Sequence, residues 1–287
     1  MSALRDRLSV VILSHNRAAE LRRTLSMMRS LPEDPELIVV DNASSDATAD
    51  MVRHGFPEVK LLRLERNIGA AARNIGVQHA RTPYVAFCDD DTWWAPGALE
   101  SAAELLDAYP RLAVLSARVL VGAQEREDPT CALMAASPLP ADGLPGPALL
   151  GFLAGACVMR RQAFMEAGGY EPNFFIGAEE ALLGLDLAAA GWSLAYAPQL
   201  TVHHYPSAAR DSARRKLLLV RNALWVAWMR LPVTSAVRDT LRICRRTCDR
   251  RIFGSAFLSA LRGLPWVFKS RRVIPGDTAL LYRMVHR

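Results

Sequence analysis

"YVAFCDDDTWWAPGAL", residues 84–99, runs from an apolar, strand-like stretch directly into three adjacent carboxylates and then two tryptophans. Three neighbouring Asp side chains repel one another, and the cost rises as they are buried. Asp89, Asp90 and Asp91 therefore call for a cation or hydrogen-bond donors. Mg2+ and Mn2+ take hard oxygen ligands, and Mg2+ usually sits on one or two carboxylates plus substrate phosphates. The run reads as a divalent-metal site at a strand end, against the competing reading of a solvated acidic turn.

The same kind of apolar run recurs on both sides. "LSVVILS" (8–14), "ELIVVD" (36–41), "VKLLRL" (59–64) and "LAVLSARVLV" (112–121) are short and continuous. Helical patterns separate them: "AAELRRTLSMMRSL" spaces Leu21, Leu25 and Met28 along one face, and "SSDATADMVRHGF" opens on residues that cap helices. Strands of this kind alternating with helices predict an α/β fold with a mostly parallel sheet covered on both faces. Ligands then bind at the carboxyl ends of the strands. Three such ends are polar, Ser14-His15-Asn16-Arg17, Asp41-Asn42 and Asp89-Asp90-Asp91, so residues far apart in sequence are expected around one crevice.

Residues 122–148, rich in Pro, Ala, Gly and charge, read as a long functional connection. Beyond it come a strand in "AGACVMRR", a helix in "RQAFMEAGGYEP", a loop "NFFIG", a helix with Leu182, Leu185 and Ala189 on one face, and a strand in "SLAYAPQLTVHH". From Tyr205 onward the pattern is helical and basic. The expected division is a catalytic domain over 1–205, with a nucleotide-binding half 1–121 and an acceptor half 149–205, followed by a basic helical region 206–287.

At 287 residues and 51% hydrophobic, the chain can bury a full core, which excludes disordered and fibrous classes. Residues 1–204 carry 17 Lys/Arg against 25 Asp/Glu, whereas 205–287 carry 18 against 4. An acidic body followed by a tail of net charge +14 points to an anionic partner such as a lipid surface, a nucleic acid or a phosphate-rich ligand. The five scattered cysteines do not read as a disulfide framework and favour a reducing, cytoplasmic setting; Cys244 and Cys248 read as structural thiols. No secretory pattern opens the chain, and its longest uncharged apolar stretch, 147–159, is shorter than the roughly 18 residues of a spanning helix.

In order and spacing, "VVILSHNR", "LIVVDNASSDAT", "ERNIGAAARNIGVQHA", "YVAFCDDDTWWAPGAL", "GACVMRRQAFMEAGGYEPNFFIGAEEALLGLDLAAAGW" and "VHH" resemble the family-2 glycosyltransferases of the GT-A (Rossmann-like) fold. The resemblance covers roughly residues 8 to 205; beyond it only "RRKLLLVRNALW" is similar. It implies an inverting, metal-dependent hexosyltransferase moving a sugar from a UDP-, dTDP- or GDP-linked donor to a hydroxyl acceptor, in polysaccharide, glycolipid or glycoconjugate synthesis. Mg2+ or Mn2+ would hold the diphosphate.

By position, Asp41 resembles the carboxylate that accepts from the base, with Ser14, Asn16 and Arg17 lining the nucleotide pocket and Asn67, Gly69, Arg73 and Asn74 lying against the nucleotide. Asp89 and Asp91 fill the family's Asp-Xaa-Asp, for ribose and metal, and Asp90 could serve either way. Gly155 lies near the donor sugar. Glu179 and Glu180 contain the base, with Glu180 favoured although the family has Asp there. One of His203 and His204 joins the metal site, and His203 is favoured. Trp93, Trp94 and Phe175 are expected against the acceptor.

The basic tail combines Arg clusters with Leu, Trp and Phe, as an interfacial helix on anionic lipid does; the competing reading is helices that pack on the catalytic domain with solvated Arg faces. Bound to lipid, the tail favours a lipid-linked acceptor. The lipid reading implies a cytoplasmic protein peripheral to the inner face of the cell membrane, with a sugar or lipid-linked acceptor and no nucleic acid expected. Two rivals are a nucleotidyltransferase, for which "SHNRAAE" is not the required basic, glycine-rich loop, and a non-catalytic nucleotide-sugar-binding or membrane-associated domain.

Overall fold

The apolar runs become strands in the computed structural model, which describes residues 4–207, 212–247 and 249–286. They are β1 (Leu8–Ser14), β2 (Glu36–Asp41), β3 (Lys60–Arg63), β4 (Tyr84–Asp89), β5 (Thr92–Trp94), β6 (Leu112–Val121), β7 (Arg126–Glu127), β8 (Ala156–Arg160) and β9 (Ser193–His204). Among the described residues these form one sheet in the order β3-β2-β1-β4-β8-β6-β9-β5, with β7 on β6.

The amino-terminal half is parallel, β1 pairing with β2 and β4, and β2 with β3. The rest is mixed: β8 runs antiparallel to β4 and β6, and β5 runs antiparallel to β9. Composition could not foretell this, because a strand buried on both faces has the same apolar run in either direction.

The helices are α1 (Leu4–Arg7), α2 (Ala18–Arg29), α3 (Thr48–Gly55), α4 (Ala72–His79), α5 (Ala98–Ala108), α6 (Pro129–Ala135), α7 (Arg161–Glu166), α8 (Glu179–Ala189), α9 (Ser212–Arg230), α10 (Val233–Arg246), α11 (Arg250–Arg262), α12 (Leu264–Lys269) and α13 (Gly276–Val285). Leu21, Leu25 and Met28 of α2 pack into the main core with the sheet residues. The connection 122–148 is more ordered than its composition implies. It holds β7 and also α6, whose amino end is capped by Asp128 accepting from Thr130 N–H at 2.8 Å and whose Cys131 is buried.

Helix α8 stands between two cores. Leu183 and Leu187 enter the main core, while Leu182 and Leu185 enter a second one with Phe174, Leu224, Trp225, Met229, Ala260 and Val267. The basic region therefore packs on α8 through a shared apolar core, and a buried ion pair reinforces it: Arg230 Nη2 lies 2.9 Å from Asp186 Oδ2. Cys88, Cys131 and Cys157 are buried thiols and Cys244 an exposed one; Cys248 lies outside the described residues. No described helix is long and apolar enough to cross a membrane.

Candidate active site

The polar ends of β1, β2 and β4 meet at one edge of the sheet, as parallel strands require. A cleft of about 760 Å³ opens there, lined by Ser14, Asn16 and Arg17 on one side and Glu179 and Glu180 on the other. Asp89, Asp90 and Asp91 lie between them.

The aspartate turn is held by its backbone. Asp89 N–H donates to Thr92 Oγ1 (2.9 Å), Asp90 O accepts from Thr24 Oγ1 (2.8 Å), and Asp91 O accepts from Tyr205 N–H (2.8 Å). Each carboxylate meets a cation. Asp89 Oδ1 accepts from the buried Arg73, while Arg17 lies 3.8 Å from Asp90 and 3.5 Å from Asp91. Burial pushes the Asp90 carboxyl up to about 8; Arg17 opposes the rise and the two flanking carboxylates add to it. A Cβ on Gly155 would stand 2.6 Å from Asp89 Oδ2, so only glycine leaves that carboxylate its place.

Asn16 and Asn67 line the cleft and also stitch its loops together. Asn16 Oδ1 accepts from Ser45 N–H at 2.7 Å, and Asn67 Oδ1 accepts from Gly69 N–H and from Asn42 Nδ2, both at 2.9 Å. Gly69 has φ +66°, and a Cβ there would fall 1.9 Å from Phe175 O. Asp41 is fully buried and does not line the cleft; its partners Ser44 and Arg63 line a separate, shallower hollow with Ala43, Leu64 and Glu65. Its Oδ1 accepts from Ser44 N–H at 2.9 Å; its Oδ2, 3.5 Å from Arg63 Nε, accepts no hydrogen bond among the described residues.

Glu179 is 4% exposed, and Glu180 is half-buried at the start of α8. Burial raises both carboxyls above the ordinary range, and for Glu180 the neighbouring Glu179 charge adds to the rise.

Several expected site residues lie elsewhere. His203 faces away from the cleft, stacked on Trp93 with ring centroids 5.8 Å apart and paired to Glu125 at 3.1 Å. His204 is the histidine that lines the cleft, its Nε2 lying 3.5 Å from Asp91 Oδ1. The cause is strand alternation: β5 pairs Thr92 with His204 and Trp93 with His203, so only the first pair faces the site. Trp93, between His203 and Tyr205, and the fully buried Trp94 are packing residues rather than acceptor contacts. Asn74 also turns from the cleft, exchanging hydrogen bonds with the Tyr170 backbone at 2.8 and 2.9 Å. Phe175 does line it, beneath Arg214 at 5.6 Å. Asn42, named as part of a strand end, does line the cleft; the sequence reading missed Asp128, Arg214 and Arg215, the last two because they sat in a tail read only for its charge.

A sequence profile described as Glycosyl transferase family 2 matches residues 9–168, a span holding the ends of β1, β2 and β4 that meet at this cleft. The chain belongs to glycosyltransferase family 2. This glycosyltransferase is 25% identical over 285 residues to the N-acetylglucosaminyl-diphospho-decaprenol L-rhamnosyltransferase of Mycobacterium tuberculosis, across 83% of its own length and 91% of that protein's. Its fold is that of GT-A glycosyltransferases. S. aureus TarS 1-349, solved in complex with UDP-GlcNAc, superposes with a TM-score of 0.64 at 15% identity, over 97% of this chain and 87% of the other. The mannosyltransferase PcManGT of Pyrobaculum calidifontis, solved with GDP-Man and Mn2+, gives 0.59 at 16%, over 98% and 86%. The chain spans about half the length of two longer solved chains of the same fold, 48% and 52%. The family is one of sugar transfer from nucleotide sugars, and nucleotidyl transfer finds no support in it.

Among the described residues no three His, Cys, Asp or Glu side chains converge as a ready-made metal cage. Asp91 and His204 instead offer an oxygen and a nitrogen side by side at the cleft wall, which fits an ion whose remaining ligands come from a substrate.

Proposed function

We propose that the cleft transfers a sugar from a UDP-, dTDP- or GDP-linked donor to a hydroxyl acceptor, with inversion at the anomeric carbon. The observation that carries this reading is the meeting of the Asp89–Asp91 turn and the Glu179–Glu180 pair across one cleft. Asp41, with an oxygen to spare beside Arg63, suits the imide N–H of a base that enters as Arg63 gives way. Ser14, Asn16, Arg17, Asn67, Gly69 and Arg73 form the remaining nucleotide wall, and Asp89, braced by Arg73, addresses the ribose. Asp91 and His204 would hold Mg2+ or Mn2+, which neutralises charge on the departing diphosphate. The Mn2+ in the PcManGT complex supports that choice of ion.

Glu180 is the base. Its carboxylate takes the proton from the acceptor hydroxyl as that oxygen bonds to the anomeric carbon and the bond to the diphosphate breaks. Glu179, more deeply buried, stands beside it, and charge on it raises the Glu180 carboxyl. Arg214 and Arg215 bring two cations to the acceptor side, suited to phosphate. The mycobacterial relative is named for an acceptor carried on a diphospho-decaprenol, which supports a lipid-linked acceptor here.

The basic region would hold the enzyme at an anionic membrane surface on its cytoplasmic side. Along α10, Val233, Val237 and Leu241 recur every four residues and are all exposed, with exposed Arg238, Arg245 and Arg246 beside them. Such a face suits lipid headgroups. The function is tested by thermal shifts with UDP-, dTDP- and GDP-sugars, with and without Mn2+. Metal-dependent stabilisation by one class is expected, and none by any class would sink the reading. For the membrane, sedimentation with phosphatidylglycerol but not phosphatidylcholine vesicles is expected, abolished by Val237→Glu with Leu241→Glu.

A further inference from the structure

The segment Phe174–Ala178 delivers Glu179 and Glu180 to the cleft on a backbone that is costly to hold. Phe175 (φ 63°), Gly177 (φ 93°) and Ala178 (φ 65°) all occupy the left-handed region. Residues other than glycine stay there only where their surroundings over-determine them. On the nucleotide side the fixing contact is Ala70 N–H donating to Phe175 O at 2.6 Å. On the other side the contacts come from α9.

Asn222 is fully buried and aims its amide at this turn. Nδ2 lies 3.0 Å from Phe174 O, 3.0 Å from Ile176 O and 2.6 Å from Gly177 O, so its two N–H bonds are shared among three carbonyls. Its Oδ1 accepts from Arg221 Nε at 2.9 Å, which sets which way the amide faces. Arg221 itself donates to Phe174 O at 2.9 Å and lies over the Trp225 ring at 4.1 Å. An apolar residue in place of Asn222 would leave buried carbonyls without donors, and the turn would have to open to satisfy them.

We propose that Asn222, oriented by Arg221, is a positioning residue for sugar transfer: it locks the Phe174–Ala178 turn and so sets the direction in which Glu180 presents its carboxylate. The proposal rests on the reading of Glu180 as base. It gives the one stretch of the tail that resembles the family, "RRKLLLVRNALW", a task within the active site.

The test is Asn222→Leu, which keeps the volume and removes the donor. Nucleoside diphosphate release is followed from UDP-N-acetylglucosamine, GDP-mannose and dTDP-glucose with Mn2+. For whichever is turned over, kcat is expected to fall about 30-fold or more while KM for the nucleotide sugar stays within about threefold, because Asn222 itself touches no residue of the nucleotide wall. The acid limb of the kcat–pH profile should move to lower pH as Glu180 gains solvent. Hydrogen exchange should quicken in 174–180 and not in the sheet, a readout independent of which donor is used. A wild-type kcat and pH profile, or faster exchange spread over the whole sheet, overturns the proposal. Should Asn222→Leu not fold, Arg221→Met at its half-buried position is expected to give the same pattern on a smaller scale, and wild-type kcat and exchange there refute it. If Glu180→Gln keeps its activity while exchange in 174–180 still responds to Asn222→Leu, the assignment of the base has failed and the lock has not.

Discussion

Replacing Glu180 with glutamine should inactivate the enzyme and at the same time stabilise it in alkali. Burial and the Glu179 charge raise the Glu180 carboxyl from 4.5 to about 8 in the folded chain. In the unfolded chain it ionises near its ordinary value. Below that value both states hold the proton and the residue costs nothing. As pH rises from about 4.5 through about 8 the unfolded state ionises first, so stability is lost across that window and the full penalty is present above it. At about 1.4 kcal/mol per unit the shift bounds the penalty near 5 kcal/mol, and water in the open cleft screens it to about 2 kcal/mol. Glutamine removes this penalty. Relative to wild type, Glu180→Gln should melt about 5 °C higher at pH 9 and at nearly the same temperature at pH 4.5. Loss of the base should lower kcat about 10²- to 10⁴-fold. Differential scanning fluorimetry at both pH values, beside nucleoside diphosphate release at pH 8, measures both effects. A variant that melts with or below wild type at pH 9, or that retains turnover, would refute the reasoning.

Other perturbations follow from the same geometry. Gly155→Ala puts a methyl where Asp89 Oδ2 now lies 2.6 Å away; it should lower kcat/KM at least about tenfold and also lower Tm, since Asp89 must swing from the buried Arg73. His204→Ala should raise the Mn2+ concentration for half-maximal activity about tenfold or more, whereas His203→Ala leaves it unchanged; equal effects would contradict the strand register. Arg230→Met leaves Asp186 without its buried partner and should cost about 3 kcal/mol in urea unfolding, most of it recovered when Asp186→Leu is added. With Glu180 as the proposed base and burial raising its titration, wild-type activity should climb with pH through about 8; a plateau already at pH 6 would point to another base.

The strands were legible because burial on both faces leaves continuous apolar runs, and β1, β2, β4, β6 and β9 begin and end within a residue or two of those runs. Their directions were not, since "ACVMR" reads alike whether β8 lies parallel or antiparallel. The cleft's donor side was legible for the same reason that it forms: parallel strands bring their carboxyl ends together. What failed was parity. His203 and His204 differ only in which face of β9 they occupy, and that depends on pairing with the three-residue β5 inside "DDDTWW", a strand too short to read. Trp93 and Trp94 went with it. Asn74 was misread because its partner, the Tyr170 backbone, lies 96 residues away. Asn222 was invisible as a site residue because its chemistry is defined by three carbonyls of a loop about 45 residues upstream.

The second core, with Phe174, Leu182 and Leu185 from the acceptor half and Leu224, Trp225 and Met229 from the tail, limits how this chain could be recombined. A crossover placed after residue 205, where the charge pattern invites a cut, would part Phe174, Leu182 and Leu185 from the rest of that core. A chimera exchanging only the basic helices would inherit mismatched knobs and holes beneath its own base. The smallest exchangeable block is the stretch from Phe174 to Ala279, so α8 and the basic helices should have been inherited together, as one unit.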